Sequence, residues 1–172
     1  MKKTILPALL VLAFALNCAR QPVNEYAMIT FMIGDVTKNN AAVQIGDVIK
    51  EKDVIQTGAE SFCDVKIGQS LIRVKQKTKV VLATLMRQGG IENTAVELDS
   101  GKMLCKPKKL IKSETFMVKT PTAVAGVRGT QFTVEADQNG TSRIKVFEGS
   151  VKVAKRVRDL EASMPEVLSL AP

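Results

Sequence analysis

Residues 120–132 read TPTAVAGVRGTQF. Gly126 and Gly129 bracket Val127 and Arg128, a Thr-Pro-Thr stretch precedes them, and a β-friendly run ending in Phe132 follows. Thr120 stands before a proline, which pushes it towards an extended backbone. The two glycines permit tight or positive-φ conformations on either side of Val127 and Arg128. A bend between two strands is therefore predicted, one that determines where Arg128 points. A nucleotide-binding P-loop is excluded, because it needs GxxxxGK[ST] between a strand and a helix, and this stretch has neither the Lys nor the helix. Arg128 is expected to be partly buried and to donate to backbone carbonyls.

Outward from this bend the chain is cut into short pieces by Gly34-Asp35, Asn39-Asn40, Gly46-Asp47, Gly58, Gly68, Gly89-Gly90, Gly101, Asn139-Gly140 and Gly149. The pieces between them, such as SFCDVKI, KVVLATL, TAVEL, KMLC, TFMVKT and TQFTVEA, are rich in Val, Ile, Thr and Phe and often alternate. Dense punctuation with β-branched alternation predicts an all-β fold. Residues 130–154 read as a three-stranded meander with a hairpin turn at Asn139-Gly140. The echo of Ile33-Gly34-Asp35-Val36 in Ile45-Gly46-Asp47-Val48 is read as turn chemistry, since two copies do not make a stacked repeat. Asp35, Asp47, Asp53, Asp64 and Asp99 lie beside glycines or strand ends and are also assigned to turns. After Ala154 the composition changes, and a short helix over 155–163 with a loose tail is expected.

The stretch TPTAVAGVRGTQF is similar to the hallmark TPxAxxxVRGTxF of the FecR-like domain. Gly46-Asp47-Val48-Ile49, residues 53–58 (DVIQTG) and residues 146–151 (VFEGSV) resemble other stretches of that family, over about residues 29–153. The resemblance implies an all-β envelope domain, an antiparallel sandwich or a solenoid-like coiled sheet. The family is known best as the periplasmic sensing part of a regulator that relays siderophore-receptor status to a sigma factor. Thr120, Pro121, Gly126, Val127, Arg128, Gly129, Thr130 and Phe132 form its structural signature, to which no catalysis is attached. The chain shows neither a sigma-binding region nor a membrane-spanning helix ahead of the domain, so an anchored binding module is expected rather than a sigma regulator.

The N-terminus reads MKKTILPALLVLAFALNC, with Lys2 and Lys3, an apolar run and then Cys18. This is the pattern of an export signal, and its apolar run stops short of the roughly 20 residues a spanning helix needs. Ala15, Leu16 and Asn17 before Cys18 resemble a lipobox of the looser spirochaetal kind. The expected organisation is a signal peptide over 1–17, a lipid-anchored tether over 18–28, the FecR-like domain over 29–154 and a C-terminal helix or tail over 155–172. Cys18 would carry the acyl chains, palmitate among them, and hold the protein in the cell envelope, at the outer membrane in preference to the inner.

The full chain has a formal charge of +8, and +6 once Lys2 and Lys3 leave with the signal. Export and the scarcity of aromatics, 4% with no Trp, argue against nucleic acid as the partner. Anionic lipids, acidic glycans and acidic proteins remain. There is no His, which removes the commonest general base and metal ligand, and no metal, cofactor or enzymatic activity is expected. Two charge runs stand out. Arg73, Lys75, Lys77 and Lys79 are read as the solvated face of one strand. Lys102, Lys106, Lys108, Lys109 and Lys112 surround Pro107, either as an anion-binding protruding turn or as a solvated loop that discourages edge pairing. Cys63 and Cys105 are either two buried thiols or a disulfide, which would close a loop of about 40 residues and contribute roughly 4 kcal/mol.

The function expected from all of this is a membrane-anchored lipoprotein whose domain binds an envelope protein, in signal sensing, by strand addition. The alternative is a surface adhesin that holds acidic glycans or host matrix proteins through the Lys-rich loop.

Overall fold

The computed structural model describes residues 27–137 and 139–157. They form thirteen strands: β1 (Ala27–Ile33), β2 (Val36–Lys38), β3 (Ala41–Ala42), β4 (Val54–Thr57), β5 (Phe62–Ile67), β6 (Ser70–Val74), β7 (Lys79–Gln88), β8 (Ile91–Lys106), β9 (Thr115–Lys119), β10 (Ala123–Val127), β11 (Gln131–Ala136), β12 (Ser142–Glu148) and β13 (Val151–Lys155). The all-β expectation holds. Cys18 and the signal, most of the tether and nearly all of the C-terminal segment lie outside the described residues, so the helix expected over 155–163 does too, except that Lys155 ends a strand.

The strands make one curled sheet of two wings that share β8. The first wing runs β1-β5-β6-β8-β11-β12, using Gly101 to Lys106 of β8. The second runs β3-β2-β4-β7-β8-β9-β10-β13, using the earlier part of β8. Every pairing is antiparallel except that of β8 with β9. The core lies between the wings and includes Ile29, Ile55, Val65, Ile72, Leu82, Leu98, Met103, Phe116, Val118 and Phe132, all buried.

Gly101 is where β8 passes from one wing to the other, and alternation shows the passage. Before it the even positions Thr94, Val96 and Leu98 are buried, and after it the odd positions Met103 and Cys105 are. A side chain can keep facing the core across a change of wing only if one extra residue is inserted, which is what a bulge does. The register with β7 shows it: Val80 lies opposite Leu98 but Lys79 opposite Ser100, so Asp99 is the extra residue. Gly101, two residues on, takes φ +97° as the strand changes wing, and a Cβ there would come within 2.6 Å of Thr78 Cα. Thr78 Oγ1 accepts from Lys102 N at 2.9 Å and so satisfies the kinked backbone. The sequence expectation of a strand break at Gly101 is corrected: the strand runs through it.

The meander expected over 130–154 is half right. β11 and β12 form the hairpin, turned by Asp137, whose Oδ1 accepts from Asn139 N and Thr141 N. β13, however, leaves β12 and pairs with β10 in the second wing. The cause lies in the turn between them, where Gly149 has φ +86° and Thr130 Oγ1 donates to Ser150 O at 2.7 Å. That bond ties the turn to the β10–β11 corner and brings Val151 opposite Val127.

The IGDV echo is turn chemistry. Gly34 and Gly46 both have positive φ, but Asp35 N donates to Ser61 Oγ whereas Asp47 Oδ2 accepts from Gln44 N. Two of the aspartates assigned to turns do something else: Asp64 pairs with Arg73 across β5 and β6, and Asp99 with Lys79.

Candidate functional site

The hallmark stretch is a fastening point for three strands. Thr120, almost fully buried, shares a 2.7 Å hydrogen bond with Ser142 Oγ, which also meets Thr122 Oγ1 at 2.7 Å. Thr120 Oγ1 further accepts from Ala123 N at 2.9 Å, so the residue closes its own turn. Pro121 is half-buried in that turn. Thr122 Oγ1 donates to Gly140 O of the neighbouring hairpin. Val127, Thr130 and Phe132 are buried, and Thr130 holds the turn before β13. Each of these residues has a structural task in this geometry.

Two expectations about this stretch change, those for Gly126 and Arg128. Gly126 lies inside β10 without a positive φ, and a Cβ on it would meet nothing within 4 Å, so no conformational demand requires glycine there. Gly129 is the demanding one: φ is +78° and a Cβ would sit 3.0 Å from Lys109 Cα. Arg128 is exposed and donates to no carbonyl among the described residues, because the bend turns it away from the core. The anchoring arginine is instead Arg156, whose side chain is 8% exposed, whose Nη1 pairs with Glu97, and which donates to Thr120 O at 3.0 Å. Sequence reading passed over Arg156 because its partners are 36 and 59 residues away.

The Lys-rich cluster does not stay together. Lys102 and Lys106 belong to β8, and Lys102 pairs with Glu135 at 3.5 Å. Pro107 is buried rather than protruding. Lys108 lies inward between two carboxylates, 2.7 Å from Glu114 and 3.1 Å from Glu92, and Glu114 Oε2 also accepts from Ile111 N. The Lys108 ammonium holds the Glu114 carboxyl below its ordinary range, and Glu114 in turn raises Lys108. Lys108 is thus a fastener for its loop, and of the loop's lysines Lys109 and Lys112 are exposed and without an ion pair among the described residues. The other run divides as well: β6 ends at Val74, Lys77 turns with φ +49°, and Lys79 starts β7, leaving only Arg73 and Lys75 on one face.

Cys63 and Cys105 are free and buried. Cys63 lies opposite Val74 and Cys105 opposite Ile72, so β6 runs between them. Two strand spacings are roughly 9.5 Å, beyond the Cα separation a disulfide spans. The disulfide alternative is set aside. Burial pushes the Cys63 thiol up to about 12 and raises Cys105 as well, so both remain protonated packing groups.

Besides the two-residue β3, which pairs only with β2 among the described residues, two strand edges stand open. The outer edge of β1 is covered by the segment around Val48, through Ile29 N donating to Asp47 O and Ile49 N to Ala27 O. Among the described residues β12 pairs only with β11, and β13 only with β10. Beside these edges Val146, Phe147, Val153 and Val157 are exposed, Val153 at 56%. Val153 lies in register with the buried Ala125, so its face is the core face, left uncovered where the two wings part. Among the described residues no three His, Cys, Asp or Glu side chains gather as metal ligands. No helix there is long and apolar enough to cross a membrane.

Comparison with known families gives one match, to the family model described as FecR protein, over residues 53–152. The matched range holds the DVIQTG, TPTAVAGVRGTQF and VFEGSV stretches, while Gly46-Asp47-Val48-Ile49 precedes it. No curated protein and no solved structure matches the chain. FecR domains are associated with signal sensing and transduction at the cell envelope. With more than half its length matched and the hallmark residues fastening the fold, the chain belongs to the FecR protein family.

Proposed function

We propose that the protein is a non-enzymatic lipoprotein, anchored through Cys18 at the outer membrane, whose FecR domain binds an envelope protein by accepting one of its strands along β12. The observation that carries this reading is the pair of open edges, β12 and β13, with Val146, Phe147 and Val153 exposed beside them. Backbone N–H and C=O groups of an open edge supply affinity to an added strand, and the flanking apolar side chains supply its specificity. Arg143 and Lys145 on β12 discourage pairing between like copies and favour a strand with acidic residues. The experiment is photo-crosslinking in intact cells from a probe at position 145, with Cys18→Ala and Phe147→Glu/Val153→Glu variants. One envelope protein should be trapped, dependent on both the anchor and the apolar residues. Trapping of lipid alone, or an unchanged adduct in the Glu variants, sinks the reading.

A further inference from the structure

The two charge runs that look separate in sequence are brought together on the outer face of the first wing. Arg73 lies opposite Leu104, and Leu104 opposite Thr133, which lies opposite Lys145. Lys75 N donates to Lys102 O, which places these two lysines side by side one row further along. Lys66 and Lys106 flank Leu71 in the row on the other side. With Arg143, opposite Glu135, seven cations, Lys66, Arg73, Lys75, Lys102, Lys106, Arg143 and Lys145, therefore share one face across five neighbouring strands. Two acidic residues of this face are already engaged: Asp64 holds Arg73 at 2.7 Å, and Glu135 holds Lys102 and Arg143, while Glu148, opposite Gln131 at the margin, is exposed. Lys66, Lys75, Lys106 and Lys145 are exposed and form no ion pair among the described residues.

Aromatic rings lie among these charges. Phe31 and Phe62 face each other with centroids 5.7 Å apart, and Phe31 is 43% exposed. The Arg73 guanidinium lies 5.2 Å and the Lys75 ammonium 5.8 Å from the centre of the Phe62 ring. At the opposite margin Lys145 lies 5.3 Å from the centre of the Phe147 ring. Cations held over rings are oriented rather than free, and an exposed ring edge offers an apolar surface to a sugar ring.

We infer that this outer face is a binding site for an acidic polysaccharide, a linear chain carrying carboxylates or sulfates. Charge complementarity selects a polyanion, and the spread of cations over roughly 20 Å of sheet width selects an extended one. The wing curls with its core side concave, so the charged side is convex, and a linear chain follows such a face where a bilayer touches it only along a crest. The exposed Phe31 ring, which a purely electrostatic surface does not need, suits stacking against sugars. Lys145 and Phe147 of β12 form one margin of the site, but the inference uses the outer face of the wing and does not rest on strand addition along the β12 edge.

The test is calorimetric titration of the full chain, in detergent, with a size-defined heparin fragment as the probe. Binding that weakens with salt is expected, as for any exposed charge contact. Lys75→Glu/Lys106→Glu should weaken it by about tenfold or more, and Phe31→Ala, which changes no charge, by about threefold. Lys109→Glu/Lys112→Glu on the neighbouring loop should stay within about twofold. Thermal melting of each variant checks that the fold is kept. Absence of binding overturns the inference, and so does equal loss in the loop pair. Equal or tighter binding of a single-stranded oligonucleotide of matched charge, or of phosphatidylglycerol vesicles, overturns it too, because either shows unselective attraction. Loss of strand trapping with glycan binding intact would remove the proposed partner reading and leave this one standing.

Discussion

Arg128 and Arg156 are both near the β10–β13 pairing, yet they differ in what surrounds them. Arg128 projects to solvent from the bend, whereas Arg156 is enclosed and shared between the Glu97 carboxylate and the Thr120 carbonyl. Charge-assisted bonds in partly buried surroundings contribute about 1.5–3 kcal/mol each, while exposed side chains without partners contribute within about 0.5 kcal/mol. Arg156→Ala should therefore lower the unfolding free energy measured in urea by about 2 kcal/mol or more. Arg128→Ala should leave it within about 0.5 kcal/mol. A large loss for Arg128→Ala would show that the hallmark arginine has a folded-state partner after all. The sequence made Arg128 conspicuous by its bracketing glycines, and a motif draws attention to its own members. The residue that performs the anchoring is defined by contacts distant in sequence.

The loop from Pro107 to β9 belongs to a larger scale, because one ion triad decides whether it is a loop or a brace. Lys108 bridges Glu114 of its own loop to Glu92 of β8, and Arg87 approaches Glu92 from β7 at 3.8 Å. Glu114 titrates below its ordinary value of 4.5, so its contribution is complete above that value and is lost as pH falls through the depressed one. Lys108 titrates above its ordinary 10.5, so its contribution is complete below that value and is lost as pH rises through the raised one. The loop should accordingly be braced between about pH 5 and pH 10 and loosen on both sides. Protection of the Ile111 amide against hydrogen exchange, relative to its intrinsic rate, is the measurement. A plateau across that window with loss below about pH 4 is expected, and a Glu114→Gln variant should lack the acid limb. Protection that persists unchanged to pH 3 would mean the triad does not hold the loop.

At the scale of the molecule the decisive residue is Gly101, since both wings depend on β8. A Cβ there meets the Thr78 backbone at 2.6 Å and requires a φ that side chains resist. Gly101→Ala should destabilise the whole sheet by at least about 2 kcal/mol and shift a single cooperative transition rather than fray one strand. Gly126→Ala, in open space on β10, is the matched control and should stay within about 0.5 kcal/mol. Two separate transitions for Gly101→Ala, one for each wing, would contradict the shared-strand account.

Local chemistry determined a great deal of this protein from sequence. Alternating β-branched residues made the strands, positive-φ glycines and Asp side chains made the turns, and the hallmark TPTAVAGVRGTQF pointed to the family that the match over residues 53–152 bears out. These properties follow from backbone sterics and from hydrogen bonds between near neighbours, which a sequence displays directly. Tertiary structure alone decided which strand lies beside which: that β13 joins β10, that β6 separates the two cysteines, and that Arg73 and Lys75 share a face with Lys102 and Lys106. Strands pair through backbone groups that every residue carries alike, so side-chain pattern specifies a face but not a neighbour, and the neighbour is chosen by what the whole core can bury.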